Sequence, residues 1–238
     1  AGYALTSGGG NVAIGYESGK AIGAADYNTS IGYQSFLKFG DDGASDHSSF
    51  NTSLGYLAMG GGHDTVASNT GYKNVGIGTY ALGGSTGTSD AITAHSNVAI
   101  GHVAMKLATT ASNNVVIGRD AGDAMTTTSD TVLIGYNAGT SINHANGQGQ
   151  VFIGSGAGDE ITTGSHNLGI GYLAFASADN AESHNIAIGN YAMQLVDNDA
   201  SLKNIAIGHE ALEGGTGATV ECVAIGYEAL TASSHATT

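Results

Sequence analysis

A short motif, Asn-Val-Ala-Ile-Gly or a close variant of it, recurs twelve times along the 238 residues. Successive copies of its glycine lie 17 to 23 residues apart, a spacing typical of solenoids and other stacked arrays. The glycines are Gly15, Gly32, Gly55, Gly78, Gly101, Gly118, Gly135, Gly154, Gly171, Gly189, Gly208 and Gly226. The repeat predicts one coil per copy and a single array over residues 1–238.

The residues around each glycine are as constrained as the glycine. Asn stands four residues before it in nine copies, Ile stands immediately before it in eleven, and Ala or Ser follows three residues later. Because strand side chains alternate between two faces, Val12 and Ile14 share one face and Ala13 lies on the other. Both faces of the strand carry apolar residues and must therefore be covered by other parts of the protein. The small residues at the Ala13 position indicate that another backbone approaches closely.

These patterns predict an all-β fold, a parallel β-solenoid or β-roll of about twelve coils. A helical solenoid is disfavoured because the chain contains 39 glycines, one inside each apolar run, and no 3.6-residue apolar period. A weaker apolar position between motifs predicts a second, shorter strand in the coils. It is occupied by Ile22, Ile92, Met125, Ile142 and Ile161.

The composition of the chain disfavours some classes of binding partner. The formal net charge is −14, and only six Lys and Arg residues are present, so a nucleic acid or an anionic membrane surface is not an expected partner. No apolar run reaches membrane-spanning length, which predicts no membrane insertion. Since each coil is too thin to bury much apolar surface alone, either long stacking of coils or side-by-side association of chains is expected to complete the core.

The two ends of the sequence look like interrupted repeats. Residues Ala1–Gly10 resemble a partial repeat, and Thr231–Thr238 resemble the linker that precedes a further motif. Neither end has the polar capping element that an isolated solenoid needs. The chain is therefore expected to be an excerpt of a longer fibre, or a unit that stacks end to end.

The segments Asn11–Gly15, Asn97–Gly101, Asn185–Gly189 and Asn204–Gly208 carry a resemblance to a known family. Their pattern resembles the YadA-like head repeats of trimeric autotransporter adhesins and related repeats in phage tail fibres. The resemblance implies a left-handed parallel β-roll, a homotrimer about a common axis and an adhesive outer surface. The coils here are longer than the usual bacterial head repeat, and no neck, stalk or anchor is recognised, so a virion fibre is at least as compatible.

Two columns of side chains follow from the repeat. The recurrent Asn predicts an amide ladder in which stacked side chains bond from coil to coil. The predicted structural ladder consists of Asn11, Ile14, Gly15, Asn97, Ile100, Gly101, Asn185, Ile188, Gly189, Asn204, Ile207 and Gly208. The residue after each glycine varies and is often Tyr or His, which is compatible with stacking on sugar rings or with packing at an edge between chains.

Signals for catalysis, cofactors and metals are weak. Three histidines, His95, His166 and His184, precede motifs, but no zinc-ligand spacing is present, so no metal or cofactor site is predicted. The acidic pairs Asp41-Asp42 and Asp159-Glu160 raise the possibility of a glycosidase. Adjacent carboxylates in Gly-rich loops are more typical of solvated surface, and the chain is not expected to be an enzyme.

Three consecutive coils are 23 residues long, and their extra residues fall within Phe36–Phe50, Met59–Lys73 and Leu82–Ser96. Because insertions in stacked repeats emerge on one side, these loops are expected to form a lateral ridge. Its candidate receptor-binding residues are Asp41, Asp42, Asp46, His47, His63, Asp64, Asp90 and His95. Neutral drift in loop length is an equally good explanation, because closure entropy grows slowly with length.

The leading hypothesis is a non-enzymatic, homotrimeric fibre segment. It would act outside the cell, on a cell surface or in a virion tail fibre, and bind a cell-surface receptor or glycan. One alternative is a purely structural extracellular filament whose subunits stack end to end. A polysaccharide-degrading spike is the third hypothesis.

Overall fold

The structure, a computed structural model, describes residues 7–20, 22–37, 48–60, 70–83, 92–177, 182–196, 201–214 and 219–231. The chain divides into two compact units, Ala1–Thr127 (unit 1) and Thr128–Thr238 (unit 2). Each unit contains six short strands, and the described residues contain no helix. The expectation of one unbroken array over residues 1–238 stays a prediction.

Every copy of the motif forms one three-residue strand. Unit 1 contains β1 (Val12–Ile14), β2 (Thr29–Ile31), β3 (Thr52–Leu54), β4 (Val75–Ile77), β5 (Val98–Ile100) and β6 (Val115–Ile117). Unit 2 contains β7 (Val132–Ile134), β8 (Val151–Ile153), β9 (Leu168–Ile170), β10 (Ile186–Ile188), β11 (Ile205–Ile207) and β12 (Val223–Ile225). Within each unit, consecutive strands pair in parallel. The predicted all-β parallel β-solenoid is confirmed.

Each strand ends at the motif glycine because the backbone turns there. Gly101 has a φ of 140°, in the region that favours glycine. A Cβ at this position would lie 2.6 Å from the carbonyl carbon of Gly118 in the next coil and closer still to its oxygen. Glycine at this position therefore permits both the sharp turn at the end of the strand and the close stacking of the backbone on the next coil.

The structure identifies which strand face lies inside the coil. The central residue of the strand is buried in eleven strands, and Ala13 of β1 is partly exposed. In β5, Ala99 is completely buried while Val98 and Ile100 on either side are partly exposed. The small residues therefore point into the core, and the Val and Ile side chains point outward from the chain.

Small residues fit inside because a larger one from the same coil fills the remaining space. The residue four positions after the glycine supplies this volume, as Met105 does opposite Ala99, and both are fully buried. Where the central strand residue is large, the filling residue is glycine. In β8, Phe152 is opposite Gly158, whose added Cβ would lie 2.6 Å from Cζ of the Phe152 ring and closer still to two other ring carbons. The two positions thus compensate each other in size.

Buried serines replace apolar packing in the first coils of unit 1. Ser30 and Ser53, at the centres of β2 and β3, lie 2.6 Å from the hydroxyls of Ser18 and Ser35 respectively. The Ser30 hydroxyl also donates to the Ser35 carbonyl at 2.8 Å. The hydroxyls thus have partners within the core, as burial of polar groups requires.

The predicted second strand in each coil is wrong for the five residues on which it rested. All five are buried, but none lies in a strand: Ile22, Ile92, Met125, Ile142 and Ile161. The chain turns at three of them, since Ala25 donates to the Ile22 carbonyl at 3.1 Å, Met125 to the Gly122 carbonyl at 3.1 Å and Ile142 to the Gly139 carbonyl at 3.3 Å. These local bonds are incompatible with an extended strand. In unit 2, isolated parallel bridges join Ser183 to Leu202 and Leu202 to Val220.

Candidate functional site

The outward side of each sheet is an apolar surface, here called the Val/Ile face. In unit 1 it consists of Val12, Ile14, Thr29, Ile31, Thr52, Leu54, Val75, Ile77, Val98, Ile100, Val115 and Ile117. In unit 2 it consists of Val132, Ile134, Val151, Ile153, Leu168, Ile170, Ile186, Ile188, Ile205, Ile207, Val223 and Ile225. Every one of these side chains is partly or fully exposed, and none is charged. The face has two parallel rows, since strand neighbours align Val to Val and Ile to Ile.

The asparagines form a hydrogen-bonded column beside this face. The Oδ1 atom of Asn97 accepts from the backbone N–H of Asn114 at 3.0 Å, and its Nδ2 donates to the Ala111 carbonyl at 2.8 Å. Asn11, Asn185 and Asn204 make the same two kinds of bond to the following coil. Each side chain therefore fixes both the next strand and the loop that leads into it.

The loop contact was not foreseen from the sequence. The expected amide-to-amide bonds are present, with Nδ2 donating to the Oδ1 of the asparagine one coil earlier at 3.0 to 3.2 Å in Asn28, Asn51, Asn97, Asn114 and Asn204. In addition, the Nδ2 group of each asparagine named in the preceding paragraph donates to a carbonyl three residues before the next motif position. Gln150 occupies an Asn position and reproduces the pattern. Its Oε1 accepts from Asn167 N–H at 3.0 Å, and its Nε2 donates to the Gly164 carbonyl. A glutamine amide can therefore take the place of asparagine at this position.

Replacing Asn97 by alanine is expected to destabilise the chain by about 2–4 kcal/mol, because two buried backbone groups lose their partners. These are the Asn114 N–H and the Ala111 carbonyl. Urea unfolding followed by circular dichroism measures the change. Asn97→Gln is the matched control and should cost markedly less, because Gln150 makes the same bonds. Equal losses in the two variants would contradict the assigned role.

The remaining members of the predicted ladder lie in two further columns. Ile14, Ile100, Ile188 and Ile207 belong to the Val/Ile face, and each is partly or fully exposed in the single chain. Gly15, Gly101, Gly189 and Gly208 lie in the glycine column, all with φ between 120° and 140°. These three columns of amide, isoleucine and glycine form a scaffold with one apolar surface.

The residue after the glycine forms an aromatic row in unit 1. The rings of Tyr16 and Tyr33 are stacked with centroids 5.1 Å apart, and those of Tyr33 and Tyr56 are stacked at 5.4 Å. Tyr80 meets Tyr56 edge-on at 5.6 Å. Neighbouring rings thus cover both faces of Tyr33. A sugar ring cannot stack on those faces, so this part of the row does not favour the sugar-stacking hypothesis.

A second exposed column precedes the asparagines, and the sequence analysis noted its histidines His166 and His184 but not its aromatic residues. Tyr27 and Phe50 are stacked at 5.3 Å, and one coil separates them as it separates Asn28 from Asn51. His166 and His184 are stacked in the same way in unit 2, at 5.1 Å. Residues in this column have φ near 60°, which turns their side chains away from the strand. The regular spacing to the Asn was the available signal.

Most of the predicted receptor-binding residues lie outside the described residues. This applies to Asp41, Asp42, Asp46, His47, His63, Asp64 and Asp90. His95 is described: its ring is stacked on Tyr72 at 4.9 Å, and its backbone N–H donates to the Ser112 hydroxyl at 3.4 Å. These contacts of His95 hold the C-terminal end of the third long loop in place. The proposed ridge itself stays a prediction.

The described parts of the chain contain no group of three or more His, Cys, Asp or Glu side chains placed to hold a metal ion. Nor does any helix there have the length and hydropathy needed to cross a membrane.

The acidic pair Asp159-Glu160 differs from the expected solvated surface. Glu160 is exposed, but Asp159 is partly buried. Burial, and secondarily the charge of Glu160, raises the pKa of the Asp159 carboxyl to about 6. Burial disfavours the charged form, so the shift has a structural cause and does not require a catalytic role.

Asp159→Asn is expected to stabilise the chain at pH 7.5 and to leave its stability unchanged below about pH 4. The folded pKa of about 6 lies above the ordinary value of 3.8, so this carboxyl destabilises the fold as pH rises from 3.8 through 6. Melting temperatures at the two pH values measure the effect. Each kcal/mol added to the free energy of unfolding raises the melting temperature by about 2–4 °C. Glu160→Gln should give a smaller gain. An unchanged or lower melting temperature for Asp159→Asn at pH 7.5 would contradict this account.

Comparisons with known proteins add no relative. No protein-family model, curated protein or solved structure gives a significant match to this chain.

Proposed function

We propose that the chain is a non-enzymatic segment of a homotrimeric fibre that attaches a virion or a cell to a surface receptor or glycan. The observation that supports this most is the exposed Val/Ile face in each unit, on a fold whose coils repeat in register. The resemblance of the motif to YadA-like head repeats and phage tail-fibre repeats adds a left-handed coil and a location outside the cell.

The Val/Ile face has the properties of a surface that another chain covers. An exposed apolar patch that runs along six strands is rare on a monomeric protein and marks an interaction site. Ile14 in unit 1 is 57% exposed and Ile225 in unit 2 is 66% exposed, and each lies in an uncharged row of its own unit. Interface centres are depleted in charge in the same way.

A second copy of the same chain is the partner that fits best. The two rows repeat at the strand spacing of about 4.8 Å, so an identical face presents ridges at the same spacing. A rotation about an axis parallel to the rows keeps the strands of all copies at the same level, and three copies close a ring. Because none of the residues of the Val/Ile face is charged, such a ring brings no charge of this face into the interface.

Light scattering coupled to size exclusion tests the assembly. The expected molar mass is three times the chain mass of 23.6 kDa, unchanged on dilution through the micromolar range. A monodisperse monomer would overturn the trimer and leave the Val/Ile face without its proposed role.

Shortening the three long loops is expected to weaken attachment without unfolding the chain. The variant trims the segments within Phe36–Phe50, Met59–Lys73 and Leu82–Ser96 to the length of the 17-residue coils. It retains the strands β3, β4 and β5 and their asparagines, so stacking should survive. Variable loops on a rigid scaffold commonly hold the contacts to a partner.

Binding of the full and trimmed chains to glycan arrays and candidate host cells measures this effect, with circular dichroism as the folding control. A variant with Asp41, Asp42 and Asp90 changed to Asn, at unchanged loop length, separates charge from loop size. Full attachment by the folded, trimmed chain would place the binding site elsewhere. If the unaltered chain attaches to nothing and instead polymerises end to end, the structural-filament alternative replaces this proposal.

A further inference from the structure

The tyrosines Tyr16, Tyr33 and Tyr56 form a row of phenols in contact with one another and with solvent. The stacked pairs have centroid separations of 5.1 and 5.4 Å and interplanar angles of 16° and 14°. The exposed fractions of the three residues are 63%, 44% and 46%. Each ring is thus accessible to a reagent while its nearest neighbour is another tyrosine.

The backbone holds this row in register. The carbonyl of Tyr16 accepts from the Gln34 N–H at 2.8 Å, and the carbonyl of Tyr33 accepts from the Leu57 N–H at 3.0 Å. These bonds place each tyrosine one coil from the next. The backbones of a pair therefore stay one coil apart, so that the two rings meet again after the exposed side chains change rotamer on the nanosecond timescale.

We propose that this row is a site of oxidative modification, at which a one-electron oxidant such as a peroxidase intermediate joins neighbouring coils through dityrosine. Each phenol of a pair gives one electron and one proton to the oxidant and becomes a phenoxyl radical. The two radicals form a carbon–carbon bond between the ring carbons next to the hydroxyls. Each of those carbons then transfers its hydrogen to the phenol oxygen, which restores both aromatic rings. The pair loses two electrons and two protons in total.

Proximity makes this coupling efficient. A phenoxyl radical at Tyr33 has a tyrosine in the preceding coil and another in the following coil, so it need not meet another molecule. A bond from Tyr16 to Tyr33, or from Tyr33 to Tyr56, closes a covalent loop between stacked coils. Such a loop constrains the unfolded chain as a disulfide does, but reductants do not break it.

The chain also contains a natural comparison of matching geometry. Tyr27 and Phe50 are stacked at 5.3 Å with an interplanar angle of 16°, and both are exposed. Phe50 has no phenol, so this pair cannot form dityrosine. In unit 2, Tyr172 and Tyr191 meet edge-on at 87°, which aims a ring edge at a ring face and not at the coupling carbon of its partner.

The test treats the full chain with a haem peroxidase and hydrogen peroxide and measures dityrosine fluorescence. Trypsin cleavage at Lys20 and Lys38 places Tyr16, Tyr33 and Tyr56 in separate peptides. Fragmentation of the linked peptides in the mass spectrometer then distinguishes these three from Tyr3, Tyr27 and Tyr72, which share the peptides. A denaturing gel separates products within one chain from those between chains. The expected result is intrachain cross-links of Tyr16 to Tyr33 and Tyr33 to Tyr56, with a raised melting temperature.

Two substitutions make the test specific. Tyr33→Phe keeps the stacked ring but should abolish both cross-links, with circular dichroism and melting temperature before oxidation unchanged. Phe50→Tyr adds a phenol opposite Tyr27 and should create a new intrachain cross-link at that pair. The proposal is overturned if the unaltered chain forms dityrosine only between chains. It is also overturned if Tyr33→Phe gives the same yield of intrachain dityrosine as the unaltered chain. Neither result depends on the trimer or on attachment, which the experiments above test separately.

Discussion

Replacing Gly101 by alanine is expected to unfold unit 1, with a loss of about 4 kcal/mol or more in the free energy of unfolding. The φ of 140° at this residue is strained for any side chain, and the new Cβ would lie 2.6 Å from the Gly118 carbonyl carbon. Relief requires β5 and β6 to separate, which breaks the parallel pairing of Val98 with Val115. Circular dichroism during thermal and urea unfolding measures the loss.

Gly9→Ala is the matched control in the same unit. A Cβ at Gly9 would have the Asp26 Oδ1 at 3.8 Å as its nearest neighbour, and no positive φ is required there. The control should melt within a few degrees of the unaltered chain. If Gly101→Ala and Gly9→Ala melt alike, close backbone stacking at the glycine column does not limit the stability of this fold.

The sequence was sufficient to predict the strands because the motif repeats the same conditions at each coil. Ile precedes the glycine in eleven copies and Asn stands four residues before it in nine, and every copy forms a strand. Stacking in parallel then requires no further information, since identical segments pair best in register. This is why the fold class could be predicted while many loops could not.

The inner and outer faces could not be assigned from the strand alone. Ala99 and Ile100 are both apolar, and a solenoid can in principle place either one inside. The deciding signal lies six residues from the central strand position, where Met105 accompanies Ala99 and Gly158 accompanies Phe152. The sum of the two side-chain volumes is kept within bounds, which identifies them as neighbours in one core.

The predicted second strand failed for a related reason. The apolar residues Ile22 and Ile142 lie between motifs and are buried as expected, but burial does not specify an extended backbone. The short linkers must also reverse the direction of the chain, and turn bonds such as Ile142 N–H to the Gly139 carbonyl do so at these residues. Turn-forming residues around an isolated apolar residue therefore indicate a core-filling turn here.

The accessibility of the rings in the aromatic row could not be predicted from each sequence position taken alone. The Tyr after the glycine was recognised as a variable column, and sugar stacking was one hypothesis for it. Whether ring faces are open depends on the residue one coil away. Tyr33 lies between Tyr16 and Tyr56, and the stacked rings leave their edges accessible, which favours chemistry at the phenols over stacking with a ligand.

Adjacent residues in β5 give the sharpest test of the assigned faces and of the proposed trimer. Ala99→Asp is expected to unfold unit 1, with a loss of about 4 kcal/mol or more, because it places an unpaired carboxylate in the core. Ala99 is 0% exposed. Ile100→Asp should leave the single chain folded, since Ile100 is partly exposed on the Val/Ile face.

In the proposed trimer, however, Ile100→Asp buries one carboxylate per chain at a charge-free interface, and burial of several like charges strongly opposes association. Light scattering should therefore show a folded monomer for Ile100→Asp and an unfolded or aggregated chain for Ala99→Asp, with circular dichroism separating the two outcomes. Ile100→Val is the control and should remain trimeric. If Ile100→Asp keeps the mass of the unaltered chain, the Val/Ile face at β5 is not the interface. If both variants unfold alike, the chain depends on association for its folded state, and dilution of the unaltered chain should then cause cooperative unfolding together with dissociation.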